Sequence, residues 1–399
     1  MLADAPDDAV RRAATGANEL DRVLGGGLVP GSVTLIGGDP GIGKSTLLLQ
    51  IAAHCAGAAS VLYVSGEESA AQIALRAKRL GLAGAALAVA AETDLDAALG
   101  AARERAAKLL VIDSIQTVQA ASIDGTVGGV SQLKECTAQL VRFAKSTGTS
   151  VLIIGHVTKE GAIAGPRVLE HLVDTVLYFE SDLASRFRIV RATKNRFGPV
   201  GELAFFHMTE SGLREVKNPS AIFLARSNQP APGSIVTVTR DGQRPLLVEI
   251  QGLVDRMRFG APRRLAQGLD AGRVAMLLAV LSRHGGVGLQ EHDVFVNVVG
   301  GLSLDETGTD LPVVLALASS LRAVPLSREL VAFGEIGLTG EIRPVSYGEE
   351  RLREAAKQGF TRALVARDNV PRKSIDGLDV VSVARVDDAL LCAFGKGGE

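Results

Sequence analysis

Eight residues, Gly38-Asp39-Pro40-Gly41-Ile42-Gly43-Lys44-Ser45, limit what this chain can fold into more than any other stretch. Two glycines, four residues between them, then Lys and Ser form a phosphate-loop pattern, which has meaning only between a strand and a helix. Both flanks are present. Ser32-Val33-Thr34-Leu35-Ile36 before it reads as a short strand, and Thr46-Leu47-Leu48-Leu49-Gln50-Ile51-Ala52-Ala53 after it reads as a helix. Glycines let successive backbone N–H groups turn toward one anion, and the following helix adds its positive N-terminal end. The backbone from Gly38 through Thr46 is therefore expected to cradle the phosphates of a nucleotide, the bland reading being a plain Gly-rich strand–helix turn. Lys44 would reach the β- and γ-phosphates and Ser45 would ligate Mg²⁺.

The stretches that follow alternate in the same way. Ala59 to Ser65 and Leu109 to Asp113 are apolar strands, Ser69 to Leu80 and Asp94 to Lys108 are helices, and Glu135 to Ser146 is a helix before strand Ser150 to Gly155. Val173 to Glu180 and Arg188 to Thr193 read as later strands. Continuous apolar strands alternating with helices predict an α/β fold with a mostly parallel sheet covered on both faces. Asp113 closes an apolar strand downstream of the phosphate loop, where a carboxylate can hold Mg²⁺ through water. Glu67 and Glu68 also follow a strand. One of them, Glu67 by preference, would position the attacking water; the bland reading is an acidic cluster at the start of the helix from Ser69.

Composition narrows the partners little. Lys plus Arg number 43 against 44 Asp plus Glu, and a local basic face can coexist with such balance. Trp is absent and aromatics are 4%, so stacking platforms for single strands are not expected. Cys55, Cys136 and Cys392 are too scattered for a metal site or a disulfide framework. Without a signal-peptide pattern or a long apolar run, the expectation is a cytoplasmic protein with no membrane contact.

Lys194-Asn195-Arg196-Phe197-Gly198 places two cations on alternate positions of a strand end, pointing the same way. They are either a solvated basic turn or a pair that neutralises transition-state charge on a phosphate, including one of a neighbouring subunit. His156 ends a strand and is either a structural hydrogen-bonder or a sensor of the γ-phosphate. The Gly-rich loop after it carries Lys159 and Arg167, and it is either an ordinary mobile loop or one whose backbone N–H groups and two cations grip DNA phosphates. Texture changes near Glu215, and Asn218-Pro219-Ser220 marks a linker. Beyond it, Ser234 to Thr239 and Leu246 to Leu253 predict a hairpin that opens a second α/β domain.

Gly-Gly-Asp-Pro-Gly-Ile-Gly-Lys-Ser-Thr at 37–46, Tyr-Val-Ser-Gly-Glu-Glu-Ser at 63–69 and Lys-Asn-Arg-Phe-Gly at 194–198 together resemble the bacterial RadA (Sms) family. Gly-Glu-Ile-Gly-Leu-Thr-Gly-Glu-Ile-Arg-Pro-Val at 334–345 resembles the Lon-protease-like domain of that family. Residues 1–15 read as a polar, flexible N-terminus, and the resemblance, which runs from about Gly16 onward, implies a RecA-like P-loop ATPase over 16–215 and a Lon-protease-like domain over 216–399. It implies homo-hexameric rings on single-stranded and branched DNA, ATP-driven helicase or branch-migration activity, and work beside a RecA-type recombinase. Lys44, Ser45, Glu67 and Asp113 match its nucleotide site, and Lys194 and Arg196 match the motif that reaches a neighbour's ATP. Family members usually begin with a four-cysteine zinc module, which this sequence is expected to lack. Lon itself uses a Ser–Lys dyad. Gly308 stands where the nucleophile would be and Glu349 or Glu350 where the Lys would be, so peptide hydrolysis is not expected. An ATP-switched DNA-binding scaffold without translocation is the alternative reading.

Overall fold

The computed structural model describes residues 12–156, 168–180, 187–220, 224, 230–242, 244–257 and 260–395. Lys159 and Arg167 lie outside the described residues. The chain divides into two compact units that meet at Lys217 and Asn218.

The first unit runs α1 (Asn18–Val23), β1 (Val33–Gly38), α2 (Lys44–Cys55), β2 (Val61–Ser65), α3 (Ala70–Arg79), β3 (Ala88–Ala91) and α4 (Leu95–Glu104). It continues with β4 (Leu109–Asp113), α5 (Val130–Thr147), β5 (Ser150–His156), β6 (Thr175–Glu180), β7 (Phe187–Asn195), β8 (Leu203–Thr209) and β9 (Gly212–Glu215). These strands form one sheet in the order β3-β2-β4-β5-β1-β6-β7-β8-β9. Pairing is parallel from β3 to β6 and antiparallel from β6 to β9. Alternate side chains of the fully buried strands feed two cores. Ile36, Tyr63, Val111 and Ile154 pack with α2 and α3, while Leu35, Val64, Ile112 and Ile153 pack with α4 and α5. Each apolar strand has both faces covered, which is why its sequence shows no alternation. The short helices start on local caps. Ser69 makes a capping box with Gln72, and Asp94 accepts from the N–H groups of Asp96 and Ala97.

The second unit holds β10 (Ser234–Asp241), β11 (Arg244–Arg256), β12 (Arg264–Gln267), α6 (Ala271–His284), β13 (His292–Val298), α7 (Asp310–Arg322) and β14 (Leu330–Phe333). The small pair β15 (Glu335–Ile336) and β16 (Ile342–Arg343) precedes α8 (Gly348–Lys357), β17 (Arg362–Ala366), β18 (Asp379–Val383) and α9 (Val386–Phe394). Seven strands make a mixed sheet in the order β12-β13-β11-β10-β14-β17-β18. Helices α6, α7 and α9 cover one face through residues such as Leu281, Leu315 and Leu390. Helix α8 covers the other with Leu352 and Ala355. Among the described residues no helix is long and apolar enough to cross a membrane.

Candidate active site

The parallel half of the first sheet brings four strand ends to one edge. Gly38 of β1 is in register with His156 of β5, and Ser65 of β2 with Asp113 of β4. The phosphate loop leaves β1 at this edge. Its Gly41 and Gly43 take φ of 76° and 119°, values a side chain would disfavour. Lys44 is 3% exposed, and its Nζ donates to the Gly38 and Asp39 carbonyls, both at 2.8 Å. Burial pushes the Lys44 pKa down to about 8, against the pull of Asp113, Glu67 and Asp39.

Asp113 is buried at the end of β4. Tyr63 Oη donates to its Oδ2 at 2.5 Å, and Oδ1 is buried with no hydrogen-bond partner. Burial raises the Asp113 carboxyl above its ordinary pKa, while Tyr63 and then Ser45 pull it back. Ser45 lies near enough for that effect, yet no well-aligned hydrogen bond reaches Oδ1. An orphaned carboxylate oxygen near a hydroxyl is a donor set that fits a hard cation such as Mg²⁺.

Glu67 stands beside this pair. Its Oε1 accepts from Ser114 Oγ at 2.5 Å and meets His156 Nε2 at 2.9 Å. The His156 contact, with help from Ser114, holds the Glu67 carboxyl below its ordinary pKa despite partial burial. Glu68 is turned to Arg76 of α3 in an ion pair, so of the two acids Glu67 is the one held among Ser114, His156 and Lys44. An ionised carboxylate held by two side chains can orient water.

Lys194 and Arg196 do not join this group. Thr34 of β1 pairs with Thr175 of β6, and Thr175 pairs with Asn195 of β7. Asn195 is therefore level with the start of β1, and Gly38 lies four residues further on, roughly 13 Å along the strand. The two cations occupy the opposite edge of the sheet from the phosphate loop of their own chain. Lys194 Nζ donates to the carbonyls of Glu170 and Val173 at 2.7 and 2.8 Å. Burial and then Arg196 lower its pKa. Half-exposed Arg196 pairs with Asp174 Oδ1 at 3.1 Å. The rest of the motif fixes this turn to α1. Asn195 Nδ2 donates to Val23 O at 3.1 Å and its Oδ1 accepts from Phe197 N at 2.9 Å. A Cβ on Gly198 would stand 2.8 Å from Gly25 Cα, so only glycine permits the approach.

Sequence reasoning missed Tyr63, Ser114 and Asp174. Ser114 directly follows the strand-end carboxylate, and Asp174 directly precedes the apolar β6, so their positions carried a signal. Tyr63 gave none beyond a hydroxyl in an apolar strand. In the second unit, Gly308 is buried, Glu349 binds Arg353 and Glu350 binds Arg240. Buried Arg351 forms a two-bond pair with Glu306 at 2.8 and 2.6 Å.

Residues 3–162 match an AAA domain model, and residues 273–369 match the model for subunit ChlI of Mg-chelatase. A protein of Pseudomonas aeruginosa described as DNA repair protein RadA is 54% identical over 98% of this chain and 87% of its own length. Proteins of the same description are 53% identical in Escherichia coli, over 98% of this chain and 85% of theirs, and 50% in Bacillus subtilis, over 96% and 84%. Among solved structures, a RadB recombinase aligns with 51% of this chain and 99% of its own at 24% identity and a TM-score of 0.40, too distant to bear on function.

Proposed function

The chain belongs to the RadA family of DNA repair proteins and carries an ATPase domain, and we propose that it is a DNA-dependent ATPase working as a hexameric ring. In this reading it is a helicase or branch-migration motor on single-stranded and branched DNA during recombination and repair. The observation that supports it most is the separation of two sets of groups within one chain. Lys44, Glu67 and Asp113 share one sheet edge, and Lys194 and Arg196 share the other. Phosphoryl transfer needs cations on the departing charge. A head-to-tail ring would bring those two from the neighbouring subunit.

The roles then divide as follows. The loop from Gly38 to Thr46 binds the ATP phosphates, with Lys44 leaving its own loop carbonyls for the β- and γ-oxygens. Mg²⁺ bound with the nucleotide would be held by Ser45 and Asp113 and would neutralise phosphate charge. Glu67, oriented by Ser114 and His156, aligns the attacking water. Lys159 and Arg167 hold DNA phosphates, and the segment carrying them begins directly after His156. The ATPase region spans 16–215, and the described residues just before it are tied to it, Ala13 pairing with Leu28 and Thr15 N donating to Asp21 Oδ1. The region 216–399 serves as a scaffold for assembly and DNA contact, since Gly308 and Glu349 or Glu350 provide no Ser–Lys dyad. A RecA-type recombinase is the proposed partner and the cytoplasm the proposed compartment.

Strand displacement on a forked DNA tests the motor against a switched scaffold. The motor reading expects ATP-dependent release of the displaced strand, abolished in Lys44→Ala. DNA-stimulated hydrolysis with no displacement on any fork would leave only the scaffold.

A further inference from the structure

The turn that enters β6 fastens three elements at once. Asp174 is 5% exposed. Its Oδ2 accepts from Val33 N at 3.1 Å, at the first residue of β1, and its Oδ1 accepts from Arg196. The backbone repeats both links, with Asp174 N donating to Val33 O and Arg196 N donating to Asp174 O. Four residues earlier, Glu170 offers its carbonyl to Lys194, and its Oε1 accepts from Tyr178 Oη at 2.9 Å. The Tyr178 ring lies so close to Gly37 that a Cβ there would stand 2.6 Å from Cε1. The turn thus grips β1 at its start and, through Tyr178, beside the phosphate loop.

We propose that this turn couples neighbouring ATP sites, with Asp174 as the positioning residue for Arg196. The inference rests on the reading that Arg196 acts on a neighbour's ATP. One buried carboxylate is shared between the guanidinium and the amide at the base of β1. When Arg196 swings toward a neighbour's phosphate, the Asp174 carboxylate loses that partner and keeps the Val33 amide. A buried anion so exposed must find new partners or move. Whatever it does is passed to Val33 and along the strand that carries this chain's own phosphate loop. Lys194 draws on the same turn through the Glu170 and Val173 carbonyls, so both cations leave from one anchor. Coupling of this kind needs a contact that differs between two states, and the Asp174–Arg196 pair is such a contact.

The test measures kcat and KM for ATP in the full chain with single-stranded DNA, for Asp174→Asn, Arg196→Ala and the double variant. Asn keeps an oxygen for Val33 N and removes the charge that holds Arg196. The expected result is a kcat lowered at least about tenfold in Asp174→Asn with KM unchanged. The double variant should be no slower than Arg196→Ala alone, because the two act as one unit. Losses that multiply, or a raised KM with kcat intact, would overturn the coupling and leave Asp174 a structural residue. If Asp174→Asn does not fold, Tyr178→Phe, which cuts the Glu170 link, carries the same non-additivity test against Arg196→Ala. Wild-type kcat in Arg196→Ala would instead sink the trans-acting reading, and this inference with it.

Discussion

Glu306→Gln is the sharpest stability test of the second unit. Arg351 is 2% exposed, and four of its five guanidinium N–H groups are bonded. Nη1 donates to Glu306 Oε1 at 2.8 Å and to Val238 O at 2.6 Å, Nη2 donates to Glu306 Oε2 at 2.6 Å, and Nε donates to Ser346 O at 3.0 Å. Glutamine keeps the shape and removes the anion, leaving a buried cation facing two carbonyls and an amide. Breaking one side of a buried pair costs about 3–5 kcal/mol, and the 26% exposure of the Glu306 side chain selects the lower end, about 3 kcal/mol. For a unit of this size each kcal/mol lowers Tm by about 2–4 °C, so Glu306→Gln should lower it by about 6–12 °C. Differential scanning calorimetry reads this directly. The paired replacement Glu306→Leu with Arg351→Met should restore much of the loss, since it leaves no orphaned charge. A Glu306→Gln transition within about 2 °C of wild type would refute the claim that this pair holds β10, the turn that leads into α7, and α8 together.

Two further outcomes concern the nucleotide site and a third the turn that carries Lys194 and Arg196. With its pKa pushed down to about 8, Lys44 loses its proton above that pH when nucleotide is absent. Between about 8 and 10.5 the unfolded chain holds a proton that the folded one does not, so this group's burial cost, complete below about 8, fades as pH rises through that window. Binding of a non-hydrolysable ATP analogue should then take up a proton at pH 9 and none at pH 7, measured by calorimetry in two buffers; equal proton counts would contradict it. Glu67→Gln should keep ATP binding and lose hydrolysis by about 10²–10⁴-fold, and a near-normal rate would remove Glu67 as the base. Gly198→Ala should lower kcat to the level of Arg196→Ala, because its Cβ meets Gly25 Cα and Asn195 Nδ2 at 2.8 and 3.0 Å. Retention of wild-type kcat would show that the turn does not need its seat on α1.

Strands β1, β2, β4 and β5 were legible because each is continuously apolar and ends at or just before a residue of the candidate site, whereas the parallel edge strand β3, four residues long and only partly buried, went unread. The antiparallel half of the first sheet was harder. Leu203–Thr209 carries Phe205 and Phe206 but follows a glycine-rich turn, and Gly212–Glu215 is too short to signal anything. Helix α5 begins at Val130, five residues before the expected Glu135, because its N-cap is Gly129, which has no capping side chain to announce it. In the second unit the hairpin Ser234 to Leu253 was read from its turn, while β12, β18 and α9 went unread. Spacing along the chain gave Lys194 and Arg196 a shared direction but not an edge. That depends on β6 running parallel to β1 and β7 running back, a tertiary fact. The Glu306–Arg351 pair joins residues 45 apart in sequence and left no local trace.

Mixed-ring ATP hydrolysis tests the central claim most directly. Wild-type chain would be titrated with Arg196→Ala at constant total protein, with and without single-stranded DNA. Cations acting on a neighbour's ATP predict DNA-stimulated wild-type hydrolysis, a strongly slowed but measurable Arg196→Ala, and a mixture whose rate departs from the weighted mean of the two. A rate that follows that mean across the titration, or an Arg196→Ala protein as active as wild type, would contradict it.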